Sequence, residues 1–457
     1  MPHKKLIGSL VSFLILSSAS LPALAQEESD QADENTEAVQ DQETDGQEDQ
    51  EDQAGSENEE DGGEEAGDDQ DQEVELDGPL RINEDPILAI PKNFPPELSY
   101  GPDEVVAYPE DGVKGIYVTG PTTAEANFQN LINMVNSTDL NSMVIDVKED
   151  YGQVVLDFDS DSQAIQNASN PFSDAEEVVE TLKENDIYPI ARIVVFKDTV
   201  LAEERPDLSF TQADGTLWKN GRGEAFVNPY EQEVWDYNIE IAKAAAEVGF
   251  RDIQFDYVRF PEGFETRDEE LQYSRGKYDD STTNSEQRID TVKSFVEHAR
   301  NELIPYNVDV SVDIFGYAAA IQEAPGIGQS FQGISEHVDA ISAMVYPSHW
   351  GPGNFGIEKP DLEPYSTVDE YMKLENVLLD ELGSDAPQSR PWIQDFTASY
   401  LGAGNYKEYG AQEVTDQVKA LHDNGVDEFL LWDASNNYSQ GATYSFEGQT
   451  ENESEAE

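Results

Sequence analysis

Eight short runs rich in β-branched and aromatic residues recur along the second three-quarters of the chain, each separated from the next by an amphipathic segment. The runs are Gly115-Thr119, Met143-Lys148, Pro189-Phe196, Asp252-Phe260, Val308-Phe315, Ala340-Tyr346, Pro391-Phe396 and Glu428-Trp432. Between them the apolar residues fall at helical spacing over 125–135, 174–185, 230–248, 285–303, 369–382 and 413–424, with Gly249 and Gly425 as stops and only a weak helical pattern over 326–336. Strands that alternate with helices pair in parallel through right-handed crossovers. Eight such units predict an α/β fold, the closed (β/α)8 or TIM barrel. An open doubly wound sheet is the competing arrangement, but no glycine fingerprint follows the first run.

The rest of the 457 residues is organised around that unit. Lys4 and Lys5, the apolar stretch from Leu6 to Leu16 and the small residues of Ala23-Leu24-Ala25 have the form of a secretory signal peptide over 1–25, cut after Ala25. The apolar part is shorter than the roughly 20 residues of a membrane span. No cysteine follows to carry a lipid, and no other stretch is apolar enough to cross a bilayer. Residues 26–78 hold 25 acidic side chains and no Lys or Arg, so they read as a disordered, self-repelling acidic linker. A Pro-rich irregular lead-in over 79–111, the barrel domain over 112–440 and an acidic tail over 441–457 complete the expected organisation.

Charge and composition exclude several functions. Asp plus Glu number 97 against 26 Lys plus Arg, a formal charge of −71. Without the acidic linker and the two leader lysines the remainder still carries about −48. Such a surface repels nucleic-acid phosphate, suits a salty exterior where screening is strong, and favours a monomer. With no cysteine there is no disulfide, thiolate metal site or cysteine nucleophile. The five histidines are scattered, so no zinc-type pair is expected and neither a metal nor a cofactor is predicted. Asp157-Phe158-Asp159-Ser160-Asp161 alternates carboxylates like a calcium loop. It lacks the glycine and the closing glutamate of such a loop and reads as a solvated turn.

Reactive groups of a barrel enzyme sit at the C-terminal ends of its strands, and here those ends are polar. Period two puts Asp146 and Lys148 on one face of the second run, and Gln254 and Asp256 on one face of the fourth. In the fifth run the valines face the helices while Asp309, Ser311 and Asp313 face inward, with Asp309 deepest. Arg192 interrupts the third run. Tyr346, His349 and Trp350 follow the sixth, Gln394 and Asp395 end the seventh, and Trp432 and Asp433 end the eighth. Ion pairs such as Asp146 with Lys148 or Asp256 with Arg259 are the structural alternative to a site. Two carboxylates across a cleft are what glycoside hydrolysis needs, one to protonate the leaving oxygen and one to attack carbon or activate water. Asp256 and Asp313 are the expected catalytic pair. Asp146, Lys148, Arg192, Tyr257, Arg259, Tyr346, His349, Trp350, Gln394, Asp395, Trp432 and Asp433 are the expected substrate-binding residues, because aromatic faces and charged edges suit a sugar.

The segment Ile253-Gln254-Phe255-Asp256-Tyr257-Val258-Arg259-Phe260-Pro261 resembles the signature of a bacterial family of predicted glycoside hydrolases, long labelled a domain of unknown function. Val144 to Asp150 with Gly152, Tyr188 to Asp198, and Asn228-Pro229-Tyr230 through Asn238 resemble its other motifs, and the similarity covers about residues 112–440. The resemblance implies a TIM barrel distantly similar to the α-amylase-like glycosidases, with Asp256 as nucleophile. It also implies an acid/base residue after the fifth strand, where this chain offers Asp313 rather than a glutamate, with Asp395 and Asp433 as fallbacks. The expected activity is hydrolysis of an extracellular or cell-wall polysaccharide. Alternatives are a glycan-binding barrel without catalysis and a cell-wall structural protein that acts through its acidic linker.

Overall fold

The structure, a computed structural model, describes residues 99–446 except 103, 279, 280 and 322. The leader, the acidic linker, residues 79–98 of the lead-in and the end of the acidic tail lie outside the described residues.

Eight parallel strands close into a barrel: β1 (Lys114–Val118), β2 (Ser142–Lys148), β3 (Tyr188–Val194), β4 (Asp252–Asp256), β5 (Asp309–Phe315), β6 (Ala340–Met344), β7 (Trp392–Gln394) and β8 (Phe429–Trp432). Each pairs with the next, and β8 pairs with β1, Gly115 lying opposite Leu430. All eight expected runs are strands. Seven helices cross between them: α1 (Ala126–Asn136), α2 (Ala175–Glu184), α3 (Gln232–Val248), α4 (Asn284–Leu303), the short α5 (Phe331–Ser335), α6 (Pro364–Leu382) and α7 (Ala411–Asp423). Their ends follow local chemistry. The Asp174 side chain caps α2, Thr283 and Glu286 form a capping box on α4, and Gly249 ends α3 in the left-handed region at φ 115°.

Several boundaries differ from the periodicity, three of them near the site or at a helix start. β4 stops at Asp256 because Tyr257 turns left-handed, at φ 50°, and β3 stops at Val194 rather than Phe196. α6 starts five residues earlier than expected, at Pro364, a residue suited to the first helical turn. The β2–α2 connection adds two further strands, Val154–Asp157 antiparallel to the end of β2 and Ser169–Asp174 beside it.

Most apolar side chains pack between the strands and the helices, including Val310 and Val312 of β5. A smaller cluster fills one side of the lumen with Tyr117, Val144, Ile190, Trp392 and Leu430. The remaining interior is polar and layered. At the N-terminal end Arg390 is fully enclosed and donates to Asp252 (2.6 Å), Glu428 (2.8 Å) and the Tyr108 hydroxyl (3.1 Å). Tyr108 belongs to the lead-in, whose described part closes this floor. Asp309 also lies there, accepting from the Tyr188 hydroxyl at 2.9 Å. Among the described residues no helix is long and apolar enough to cross a membrane.

Candidate active site

At the opposite end of the lumen, β2 to β5 converge four charged side chains. Arg192 of β3 reaches up to Asp256, donating from Nε (2.9 Å) and Nη2 (2.6 Å) to Oδ2. Its Nη1 donates to Asp146 of β2 at 2.9 Å and its Nη2 to Asp150, just beyond β2, at 2.8 Å. One buried guanidinium therefore faces three carboxylates. The aromatic wall encloses the cation, which lies 5.6 Å from the Tyr117 ring and 5.5 Å from Trp432. Asp256 is completed by its own neighbour, the Tyr257 N–H, 2.6 Å from Asp256 Oδ1, and Tyr257 itself lies in the left-handed region. A non-glycine residue in this region costs of order 1–3 kcal/mol and is held there by its surroundings.

Asp313 stands beside Asp256. The β4–β5 ladder pairs Gln254 with Ser311 and Phe255 with Val312, so the next step up sets Asp256 alongside Asp313. Neighbouring strands lie ~4.8 Å apart. Asp313 Oδ1 accepts from Trp392 Nε1 at 2.7 Å. Burial, and then the Asp256 charge, push its carboxyl well above the usual range. Burial also raises Asp146 to about 6, against the opposing pull of Arg192 and of the Tyr117 hydroxyl bonded to it at 2.5 Å. Glu149, behind Asp150, is raised by burial to about 7. Tyr346 completes the bowl. Its hydroxyl is raised well above the usual value by burial and by the charges of Asp313 and Asp256. Trp432 stacks on Tyr117 at 4.2 Å and meets Trp392 edge-on at 5.4 Å.

Of the expected site residues, the structure thus brings together Asp146, Arg192, Asp256, Asp313, Tyr346 and Trp432. Tyr257 and Arg259 line an adjoining pocket. Lys148 is placed elsewhere, a correction to the period-two reading. A register shift between Asp146 and Lys148 turns it out of the lumen to Asp198 (2.7 Å) and Asn238 of α3 (3.0 Å), where burial lowers its pKa. Gln394 is also a brace and not a site group, accepting from Ser348 N–H at 3.0 Å and donating to Asp361 at 3.0 Å. His349 sits behind Tyr346, ring to ring at 4.9 Å, and burial holds it neutral with a pKa of about 3. Trp350 packs on Phe355 and Tyr371. Asp395 ties down Ser439, at 2.8 Å from its N–H, and Asp433 accepts from Ser435 N–H at 2.7 Å. Asp395 is raised by burial to about 7. Tyr117, Asp150 and Glu149 were not foreseen as site residues. Tyr117 reads as core within an apolar strand, whereas Glu149-Asp150 immediately after Lys148 is a polar strand end of the kind that marks a rim.

Residues 115–438 match a family described as "Putative glycosyl hydrolase domain". The chain belongs to that family. The match spans the barrel from β1 past β8 and contains every residue of the bowl. Among solved structures, a hypothetical protein from Ruminiclostridium thermocellum is 31% identical over 43% of this chain and 96% of its own, with a TM-score of 0.38. The PgaB (BpsB) glycoside hydrolase domain from Bordetella bronchiseptica is 14% identical over 71% of this chain and 94% of its own, at 0.49. The glycoside hydrolase domain of PelA from Pseudomonas aeruginosa is 11% identical over 72% and 98%, at 0.40. No curated protein matches the chain.

Proposed function

We propose that this chain is an exported glycoside hydrolase that cleaves an extracellular polysaccharide with Asp256 and Asp313. The observation that supports the reading is the β4–β5 register, which, continued one step beyond Phe255–Val312, brings Asp256 and Asp313 to neighbouring positions at the C-terminal end of adjacent strands, where each feels the other's charge. Side chains that start one strand spacing (~4.8 Å) apart at the backbone reach the retaining geometry of ~5–5.5 Å more readily than the inverting one of ~6.5–9.5 Å. Asp256, ion-paired with Arg192, attacks the anomeric carbon. Asp313, whose buried carboxyl keeps its proton, gives it to the departing glycosidic oxygen as the carbon–oxygen bond breaks. Water then attacks the Asp256 ester, losing its proton to the Asp313 carboxylate, and the sugar leaves with Asp256 regenerated. Trp432, the partly exposed ring of the aromatic wall, offers its edge to the sugar, with Tyr117 stacked behind it. Export is supported by the Lys4-Lys5 head, the Leu6–Leu16 apolar run and Ala23-Leu24-Ala25, with cleavage after Ala25.

A second reading, a barrel that binds glycan without cleaving it, is favoured by the occupation of both Asp256 oxygens, one by Arg192 and the other by the Tyr257 N–H. A reducing-sugar screen at high salt against bacterial and plant polysaccharides separates the two. The hydrolase reading expects release of reducing ends, lost by about 10³-fold or more in Asp256→Asn and by about 10²–10⁴-fold in Asp313→Asn, with glycan binding kept. A wild type that binds glycan and releases nothing supports the second reading and sinks the first.

A further inference from the structure

The β3–α3 and β4–α4 loops enclose a pocket of about 120 Å³ beside the bowl. Its charged lining is Lys197, Arg222, Arg259 and Arg267 against Glu224 and Glu262, four bases to two acids. The chain as a whole carries 97 acids to 26 bases, so this lining reverses the composition. Cations in a strongly acidic protein would ordinarily be spent on its own carboxylates. Lys197 pairs in this way with Glu224 at 3.1 Å, and Arg259 with Glu262 at 2.6 Å. Arg267 is held differently. Its Nη1 donates to the Glu262 carbonyl (3.2 Å) and the Gly263 carbonyl (2.9 Å), and no carboxylate among the described residues lies within ion-pairing distance of it. Gly263 makes room for this, since a Cβ there would stand 2.7 Å from that nitrogen. The guanidinium is thereby set 6.0 Å from the ring of Trp218, which lines the same pocket.

The pocket is wired to the bowl. Tyr257, directly after Asp256, forms part of its wall, with Lys197 4.7 Å and the Arg259 guanidinium 4.8 Å from its ring. Asp150, which receives Arg192 at 2.8 Å, has its other oxygen 3.8 Å from Lys197. A lining of aromatic rings and a net excess of cations, adjoining Asp256 through Tyr257, matches a sugar that carries an oxyanion. The long-range field of the chain repels such a ligand, so only a local excess of positive charge makes it a substrate.

We propose that this pocket is a subsite for an anionic sugar, with Arg267 receiving a ring carboxylate or an ester sulfate and Trp218 or Tyr257 the ring face. Its assignment to the substrate rests on the hydrolase reading; its affinity for an oxyanion does not. The test titrates glucuronate, glucose 6-sulfate and glucose into the full-length wild type and Arg267→Gln at fixed ionic strength. Binding is followed by tryptophan fluorescence, with Trp218→Phe to identify the reporting ring. The expected result is that at least one anionic sugar saturates at a concentration tenfold or more below that of glucose, and that Arg267→Gln removes the difference. Preference for glucuronate assigns the carboxylate, and preference for the sulfate assigns the ester. Arg222→Gln serves as the second variant should Arg267→Gln not fold. Equal saturation by all three sugars, no saturation by any, or a preference that survives both variants overturns the proposal. Cleavage of a neutral glycan with no such preference leaves the hydrolase standing and removes the subsite; a clear preference with no cleavage of any glycan does the opposite.

Discussion

Replacing Arg192 by methionine keeps the length of the side chain and removes the only guanidinium in the bowl. Three carboxylates then face one another without a cation: Asp146, Asp150 and Asp256, with side chains 4%, 19% and 11% exposed. Breaking one buried pair by deleting a partner costs about 3–5 kcal/mol. Here Arg192 serves three, but Asp150 is partly wet and can rehydrate, so about 3–5 kcal/mol is the expected total at pH 7.5 rather than three times that. The loss must depend on pH. Without Arg192 the carboxyls of the folded state are raised above their unfolded values of about 3.9. The variant recovers stability as pH falls and they protonate, so its deficit against the wild type, which keeps the cation, narrows. Urea unfolding of both proteins at pH 7.5 and pH 4.5 in 1 M NaCl measures this. A loss below about 1 kcal/mol at pH 7.5, or one that does not shrink at pH 4.5, refutes the account of the bowl as a single cation balancing three buried acids.

Other perturbations divide the site from its scaffold. Trp432→Ala removes the stack on Tyr117 and one wall of the bowl, so KM for a cleaved glycan should rise roughly tenfold, equivalent to about 1.4 kcal/mol, with kcat changed less; initial-rate kinetics checks this. Lys148→Met leaves Asp198 fully enclosed without its cation, so urea unfolding should show a loss of about 3–5 kcal/mol while kcat and KM of the folded fraction stay those of the wild type. Asp146 and Asp309 are raised to about 6, and Glu149 and Asp395 to about 7, all chiefly by burial. Between about pH 4 and pH 7 these four carboxyls bind more protons in the folded chain than in the unfolded one, outweighing the opposite shift of His349. Their contribution to stability is complete below about pH 4 and is lost as pH rises towards 7. Tm in 1 M NaCl should fall from pH 5 to pH 8, and a flat or rising Tm contradicts these shifts.

The barrel was legible because its signal is local. Runs such as Met143-Val144-Ile145 and Val310-Ser311-Val312 announce strands, and capped amphipathic segments such as 284–303 announce helices. Strand period and a polar strand end likewise suffice to put Asp256 and Asp313 at the ends of neighbouring strands, which is a statement of position and not of role. What failed was set by tertiary geometry. The bulge that rotates Lys148 out of the lumen depends on how β2 meets β3 and leaves no mark in the alternation of residues. The left-handed turn at Tyr257 ends β4 four residues before its apolar pattern does, so Tyr257 and Arg259 leave the bowl for the next pocket. Gln394, Asp395 and Asp433 look like rim carboxylates and amides but are used to hold loops, because their partners Ser348, Ser439 and Ser435 lie in connections whose course no periodicity fixes. Asp150 shows the reverse. Its role depends on Arg192, 42 positions on, and becomes visible only once the two strands are paired.

The central claim is that Asp256 attacks the sugar while Asp313 donates the proton, and it is tested most directly by trapping the intermediate. The wild type is incubated with an activated 2-fluoro glycoside of whichever sugar the polysaccharide screen identifies, then digested and mapped by mass spectrometry. The account predicts one added sugar, on the peptide containing Asp256, with no label in Asp256→Asn and slower label release in Asp313→Asn. A label on another carboxylate such as Asp395, or turnover of the natural glycan with inversion of the anomeric centre and no adduct, would contradict it.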